Sequence, residues 1–323
     1  MLTCEHSGRL LMIDLADIAL AQYRIRPHLP PTPVETVPLA GAAVALKLEC
    51  ANRTHSFKIR GALNAALSLD SEARARGLIA ASSGNHAQAL AYAAHVVGAR
   101  ATIYMPAHTP QKKVDGVRRY GAIPVLDAPN YDEAEKAARE AATREGLTFV
   151  SAYNDARVMA GAGTIGLELL QQIDGLKRVV VPVSGGGLIG GVATALKSLN
   201  PAIEVIGVCA QHAPAMYNVF HGTTLPQIWE TLAEALSGDI EQGSITLEVC
   251  RRYVDDVVLV DEQAIATAMR QLLALGWVAE GGGAVGVAAL LTQQVQPAAE
   301  GKTAIVISGG NVDIATLQRV LKD

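Results

Sequence analysis

The residues of this 323-residue chain whose types and spacing could do chemistry fall in a few short clusters of glycine, serine and amide side chains. In Ser184-Gly185-Gly186-Gly187-Leu188-Ile189-Gly190-Gly191, an apolar run at 179–183 passes into a glycine-rich turn that opens a helical pattern. Glycines let backbone N–H groups converge and the helix dipole adds positive potential, so this is a place for a phosphate. A tight strand-to-helix turn that binds nothing has the same composition. No Gly-Lys-Ser/Thr follows, so the Walker pattern fails, and Gly185, Gly187 and Gly190 match the dinucleotide pattern only loosely. The inference is a phosphate carried by neither ATP nor NAD.

A second cluster, Ser82-Ser83-Gly84-Asn85-His86, stands at the same kind of junction, after an apolar run at 78–81 and before an alanine-rich helix. Small residues and amides at a helix start suit a second anion such as a carboxylate. An ordinary N-cap, worth about 1 kcal/mol, uses the same residues. Ser308-Gly309-Gly310-Asn311 follows a third strand-like run. Three such turns at the C-terminal ends of parallel strands would gather around one crevice, which is where open α/β sheets bind ligands. In Ser56-Phe57-Lys58-Ile59-Arg60-Gly61-Ala62, Lys58 and Arg60 lie just ahead of a helical run at 63–69, and a lysine there, taken alone, is a solvated charge. A phosphate site, a carboxylate site and a lysine together are the parts of an enzyme that uses pyridoxal phosphate, held by the amine as a Schiff base.

These clusters need strand ends and helix starts to position them. Pro27, Pro30, Pro31, Pro33 and Pro38 stop the helix that the periodic run 13–25 predicts, making 26–38 an ordered arm. Strand-like runs at 78–82, 101–105, 123–126 and 148–151 then alternate with helical patterns at 86–98, 110–121 and 131–146. The second half repeats the alternation, with apolar runs at 179–183, 203–210, 257–260 and 303–308 and helical patterns at 186–199, 261–276 and 311–322. Continuous apolar strands alternating with helices predict parallel sheets covered on both faces. The stretch 211–252 is less regular and reads as loop-rich. No repeat or flexible linker separates the halves, so they are expected to interleave. Lys112, Lys113, Arg118 and Arg119 read as the wet face of one helix, and Asp132, Glu133, Glu135, Lys136, Arg139 and Glu140 as a mixed-sign helix surface.

Composition removes other classes of function. With 27 basic against 31 acidic side chains and a net charge of −4, phosphate-driven nucleic-acid binding is not expected. The longest nearly apolar stretch, 185–196, is too short for a membrane span, and Glu5, Asp14 and Asp17 interrupt the N-terminus, so no leader is expected. Cys4, Cys50, Cys209 and Cys250 lie far apart without a C-x-x-C, which predicts isolated reduced thiols in a cytoplasm and no metal cluster. Aromatic residues make up only 4%, so Ala, Val, Ile and Leu must fill the core.

SFKIRGA, SSGNHAQALA, AGAGTIGLE, SGGGLIGG and ISGGNVD stand in the order and spacing of the fold-type II pyridoxal phosphate enzymes, and the chain resembles the threonine dehydratase and serine racemase group from about Asp14 onward. The resemblance implies an α/β fold of two interleaved open parallel-sheet domains with helices on both faces, tryptophan synthase β-like. A large cofactor-binding domain would comprise 1–52 plus 150–323 and a smaller one 53–149. No C-terminal regulatory domain, and hence no isoleucine feedback, is expected. By the same likeness, Lys58 holds pyridoxal 5′-phosphate and removes the Cα proton, Phe57 packs on the ring and Asn85 meets the ring hydroxyl. Ser184, Gly185, Gly186, Gly187 and Leu188 would cradle the phosphate, and Ser308 would face the ring nitrogen. Ser83, Gly84, Asn85 and His86 would bind the substrate carboxylate, with Ser83 also the opposite-face proton carrier of racemases. The implied activity is conversion of a β-hydroxy amino acid such as L-threonine or L-serine to a 2-oxo acid and ammonia. Amino-acid racemisation, or dehydration of a specialised catabolic substrate as in hydroxyectoine breakdown, is the alternative. A cytoplasmic homodimer is implied, with no membrane or nucleic-acid partner.

The chain departs from the family pattern at three places. Thr54-His55-Ser56-Phe57-Lys58 has an imidazole where the family has glycine; His55 either contacts the substrate or is an exposed turn residue. Gly207-Val208-Cys209 lacks the family's metal-binding glutamate, so no metal is expected. Glu280-Gly281-Gly282-Gly283 replaces E-P-[ST]-G; Glu280 is kept and is expected near the ring nitrogen side, beside a more permissive backbone.

Overall fold

The computed structural model describes residues 12–322, so Cys4 and the N-terminal reading around Glu5 lie outside the described residues. Helix α1 (Leu15–Ile25) starts at a capping box, in which Asp14 and Asp17 each accept the other's backbone N–H. The proline-rich stretch after it is only partly an arm. Residues of its second half form β1 (Val34–Leu39), which turns through Ala40 and Gly41, both at positive φ, into antiparallel β2 (Ala42–Leu48). Pro38 is accommodated because β1 is an edge strand, where one line of N–H groups goes unpaired.

A short 3-10 turn (Glu49–Ala51) leads to α2 (Lys58–Leu67) and α3 (Ser71–Arg76). The helix therefore includes Lys58 and Arg60 rather than following them. Next come β3 (Leu78–Ala81), α4 (Asn85–Val97), β4 (Ala101–Pro106), α5 (Gln111–Arg118), β5 (Ile123–Ala128), α6 (Tyr131–Glu145) and β6 (Thr148–Phe149). Long α7 (Ala156–Gln172) leads to β7 (Leu176–Pro182), α8 (Gly187–Leu199), β8 (Glu204–Ala210) and α9 (Ala215–His221). A 3-10 turn (Glu234–Leu236) and α10 (Ile245–Tyr253) follow; with α9 they give structure to the stretch that reads as loop. The chain ends with β9 (Asp256–Val260), α11 (Glu262–Ala274), α12 (Gly281–Leu291), β10 (Lys302–Ile307) and α13 (Ile314–Lys322). No helix of the described residues is long and apolar enough to cross a membrane.

The strands make two sheets with helices on both faces, as expected for an α/β fold. Six are ordered β1-β2-β10-β7-β8-β9, parallel except for β1, and four are ordered β5-β4-β3-β6, all parallel. Strand order reverses between β10 and β7 in the larger sheet and between β3 and β6 in the smaller. Such a reversal leaves a crevice at the strands' C-terminal ends. Every functional cluster read from the sequence follows one of those four strands or, for Lys58, pairs with a turn that does.

What fixes α2, and with it Lys58, is a close helix contact and a buried ion network. A Cβ on Gly161 of α7 would stand 2.5 Å from the Arg60 carbonyl oxygen, so the backbones of α2 and α7 touch. Arg60 is fully buried and binds both carboxylate oxygens of Glu49 (2.7 and 2.8 Å) and of Glu168 (2.6 and 2.8 Å). Lys47, also fully buried, reaches Glu168 at 2.5 Å, the Thr32 carbonyl at 2.8 Å and Gln172 at 2.7 Å. Burial works to raise the Glu49 carboxyl, but the Arg60 guanidinium beside it wins and holds it below its ordinary range. Breaking a buried pair by removing one partner strands the other charge at a cost of about 3–5 kcal/mol. Arg60→Met is accordingly expected to lose about that much stability in urea unfolding, far more than the exposed Arg76→Met, whose partner Glu72 is solvated.

Candidate active site

On the larger sheet, β7 ends at Pro182 and the chain turns through residues 183–186 into α8. Gly186 caps that helix at φ +87°, a left-handed conformation that glycine adopts without a Cβ penalty. The first N–H groups of α8 have no acceptor within the helix, and the helix dipole adds positive potential there. Tyr153 covers the turn so closely that a Cβ on Gly185 would meet its ring at 2.6 Å. The Tyr153 hydroxyl accepts the Glu241 N–H at 2.9 Å. The turn, Phe57, Lys58, Tyr153 and Ser308 line one cavity of about 70 Å³, closed on another side by Ala235 and Leu236.

Lys58 enters this cavity from the start of α2. The preceding loop is stitched to the end of β10: Phe57 N–H donates to Ser308 O (2.9 Å), Gly310 N–H to His55 O (2.9 Å) and Asn311 Nδ2 to Thr54 O (2.9 Å). Lys58 Nζ donates to the Ala152 carbonyl at 2.7 Å. Burial pushes its pKa down to about 8, against the pull of the Glu280 carboxylate in the other direction.

The smaller sheet contributes the turn after β3. Asn85 and His86 are the first two residues of α4, so their backbone N–H groups face forward without helical acceptors. Gly84 N–H is engaged by Ser82 Oγ in a long bond of 3.3 Å. Ser83 is half-buried, with no side-chain hydrogen bond to another described residue. The Asn85 amide is pinned from two sides: Nδ2 donates to Glu280 Oε1 and Oδ1 accepts from Asn311 Nδ2, each at 2.7 Å. Glu280 is buried, which pushes its carboxyl up to about 7 in spite of the Asn85 bond.

The model of the pyridoxal-phosphate dependent enzymes matches residues 25–309. The chain belongs to that family. It is 42% identical over 317 residues to an L-threonine ammonia-lyase of Thermotoga maritima, spanning 96% of this chain and 78% of that one. It is 40% identical over 320 residues to a catabolic L-threonine dehydratase of Staphylococcus aureus, spanning 96% and 92%. The solved structure of maize serine racemase superposes with a TM-score of 0.89 at 35% identity, over 96% of this chain and 97% of that one. The protein is thus a lyase whose cofactor is pyridoxal phosphate, with the fold that the motif resemblance implied.

The cavity suits that cofactor: a glycine cradle no side chain could occupy lies across from a partly desolvated lysine amine. The polar side chains among the described lining residues are the Lys58 amine and the hydroxyls of Tyr153, Ser184 and Ser308, and none is a carboxylate. Asn85 and Glu280 stand behind this lining, joined to each other, and the His86 side chain points away to the Val150 carbonyl (2.9 Å). His55 is exposed at φ +54°, which explains why glycine suits that position and favours the turn-residue reading over a substrate contact. The run 281–283 is not a permissive loop: it is the first turn of α12, and glycine is required by space, since a Cβ on Gly281 would lie 2.1 Å from Leu232 O and one on Gly283 2.4 Å from Gly309 O. Cys209 is buried in β8, and among the described residues no group of three His, Cys, Asp or Glu could hold a metal. The described thiols, Cys50, Cys209 and Cys250, are free, buried and shifted upward by that burial, the last two to about 12.

Nothing local in the sequence marks Tyr153 or Leu236 as cavity residues. Arg60 and Glu168 were marked only by charges set inside apolar runs.

The Lys58 shift has a stability consequence. Its folded pKa lies below the ordinary 10.5, so folding disfavours the charged amine. In protein stripped of cofactor, Lys58→Met is expected to melt above wild type at pH 7. The advantage should hold below about pH 8 and fade between 8 and 10.5, where the folded amine is neutral and the unfolded chain's lysines lose their protons too. Melting curves across pH 6–10.5 check this.

Proposed function

We propose that this lyase is a dehydratase that converts a β-hydroxy amino acid, with L-threonine and L-serine as first choices, to a 2-oxo acid and ammonia. The observation that carries the reading is the convergence of Lys58 Nζ, the 184–188 cradle and Ser308 on one cavity, beside an anion-accepting helix start on the other sheet. The names of the ammonia-lyase and dehydratase relatives support it.

Bound in the cavity, pyridoxal phosphate supplies a sink for the electron pair left when Cα loses its proton. The backbone N–H groups of Gly185, Gly186, Gly187 and Leu188 would hold the phosphate, with Ser184 at the strand end, and Phe57 would flank the ring. Ser308 would offer a neutral hydroxyl to the ring nitrogen, which could not stabilise a proton there as a carboxylate does. That weaker sink suits expulsion of a β-hydroxyl better than transamination. Asn85, with Glu280 and Asn311 fixing its amide, would present its second N–H to the ring hydroxyl. The N–H groups of Ser83, Asn85 and His86 would receive the substrate carboxylate, with Gly84 shaping the turn. Lys58 Nζ, whose depressed pKa leaves a usable neutral fraction near pH 7, takes the Cα proton. Loss of water across Cα–Cβ gives an enamine, which hydrolyses to the 2-oxo acid and ammonia. Tyr153 and Leu236 narrow the cavity against bulk water. A cytoplasmic homodimer belongs to this reading and rests on the family resemblance.

Racemisation is the second reading, favoured by the likeness to maize serine racemase and by the unengaged Ser83 hydroxyl on the carboxylate turn. A panel of β-hydroxy amino acids assayed for both 2-oxo acid release and chiral inversion separates the two. The expected result is 2-oxo acid from L-threonine or L-serine, falling at least about 10³-fold in Lys58→Ala. Ser83→Ala should suppress any inversion more than elimination. Release of no 2-oxo acid from any member would end the dehydratase reading.

A further inference from the structure

His86 belongs to the turn assigned to the substrate carboxylate, yet its imidazole does not line the cavity. It is 2% exposed, with Nε2 2.9 Å from Val150 O. A carbonyl only accepts, so Nε2 carries the proton and Nδ1 is a lone pair without a partner among the described residues. Burial first, then the charge of Lys58, pushes the ring's pKa down to about 4, so it is neutral at physiological pH.

Val150 is also tied to the smaller sheet, its N–H donating to Ile79 O at 3.0 Å. Two residues on, Ala152 O accepts Lys58 Nζ. The next residue, Tyr153, lays its ring on Gly185 and its Cα, Cβ and carbonyl against Gly187. Residues 150–153 therefore touch three things in sequence: the imidazole of the carboxylate turn, the reactive amine and the phosphate cradle.

We propose that His86 is a positioning residue: by donating Nε2–H to Val150 O it fixes the Ala152 carbonyl on which the Lys58 amine rests, coupling the carboxylate turn to the lysine. The inference rests on the reading of Lys58 as the reactive amine and of residues 83–86 as the carboxylate site.

The test compares His86→Gln, whose amide places an N–H near the position of Nε2, with His86→Leu, which keeps bulk but donates nothing. In protein stripped of cofactor, trace acetylation of Lys58 with acetic anhydride across pH, read by peptide mass, gives the amine's titration midpoint. The other titratable groups near the pair, Glu280 and Asp155, are unchanged in both variants. The expected result is a midpoint in the His86→Gln protein close to wild type and one in the His86→Leu protein moved by about one unit or more, a tenfold change in proton affinity. In the loaded enzyme, kcat should fall roughly tenfold or more with His86→Leu and recover with His86→Gln, with KM changing much less. If His86→Leu does not fold, His86→Asn, too short to reach Val150, takes its place with the same expectation. A leucine or asparagine variant that is merely less stable, with the wild-type midpoint and kcat, overturns the proposal. The midpoint is read without cofactor or substrate. A wild-type enzyme releasing no 2-oxo acid would therefore sink the dehydratase reading, while split midpoints would still support the role of His86.

Discussion

Taking a lysine amine out of water removes the hydration that favours its charged form, and the surroundings of Lys58 are built around that loss. Three neighbours moderate it without abolishing it: the Ala152 carbonyl, the Phe57 ring 5.1 Å from Nζ and the Glu280 carboxyl behind Asn85. None makes a close ion pair with the amine, so the charged form is held but not locked. A direct carboxylate partner would raise the proton affinity and leave the amine a poor base. The site instead balances burial against one carbonyl and one distant carboxyl, which keeps the amine near the range where it can both hold and release a proton.

That balance depends on where α2 begins. The backbone contact between α2 and α7 at Gly161 and the network of Lys47, Glu49, Arg60 and Glu168 settle its position from the protein's interior. Buried ion networks of this sort are weak evidence for net stability, because desolvation offsets most of the attraction. Their geometric demand is nevertheless severe: both carboxylates meet Arg60 through two oxygens, which fixes the orientation of a guanidinium two residues from Lys58. The stitched contact between residues 54–57 and 308–311 then sets Lys58 opposite Ser308.

Much of this was legible in the sequence for a physical reason. Strand-to-helix turns that hold anions need small residues at fixed places, and apolar runs between them need parallel sheets. The clusters at 82–86, 184–191 and 308–311 therefore announced both themselves and the sheet ends that carry them. What stayed hidden depends on contacts between residues far apart in the chain. The burial of Arg60 is not legible locally because its partner Glu168 lies 108 residues away; besides Arg60 itself, the local hints are Lys47 within AAVALKL and Glu168 within an apolar helix. The β1–β2 hairpin was masked by prolines that an edge strand tolerates. Gly281 and Gly283 misled in the opposite sense, since their letters are those of a flexible turn while the fold uses them for close packing in a helix. His55 shows the reverse case, a bulky residue kept at a left-handed position where exposure makes the strain tolerable.

The path of the chain gives the Lys58–Ala152 bond a meaning beyond its own energy. The chain leaves the larger sheet after β2, runs through residues 52–58 into α2, builds the whole smaller sheet and returns through residues 150–155 into α7. Lys58 stands at the way out and Ala152 at the way back, 94 residues apart in sequence and 2.7 Å apart in space. The hydrogen bond thus closes the loop that the smaller sheet makes, at the point where both crossing segments pass the cavity. On one side of that closure the Tyr153 ring bears on the glycine turn after β7 of the larger sheet; on the other, His86 ties the same segment to the turn after β3 of the smaller one. Lys58 Nζ is therefore joined to the glycine turn of the larger sheet and to the helix start of the smaller one through covalent neighbours and two hydrogen bonds.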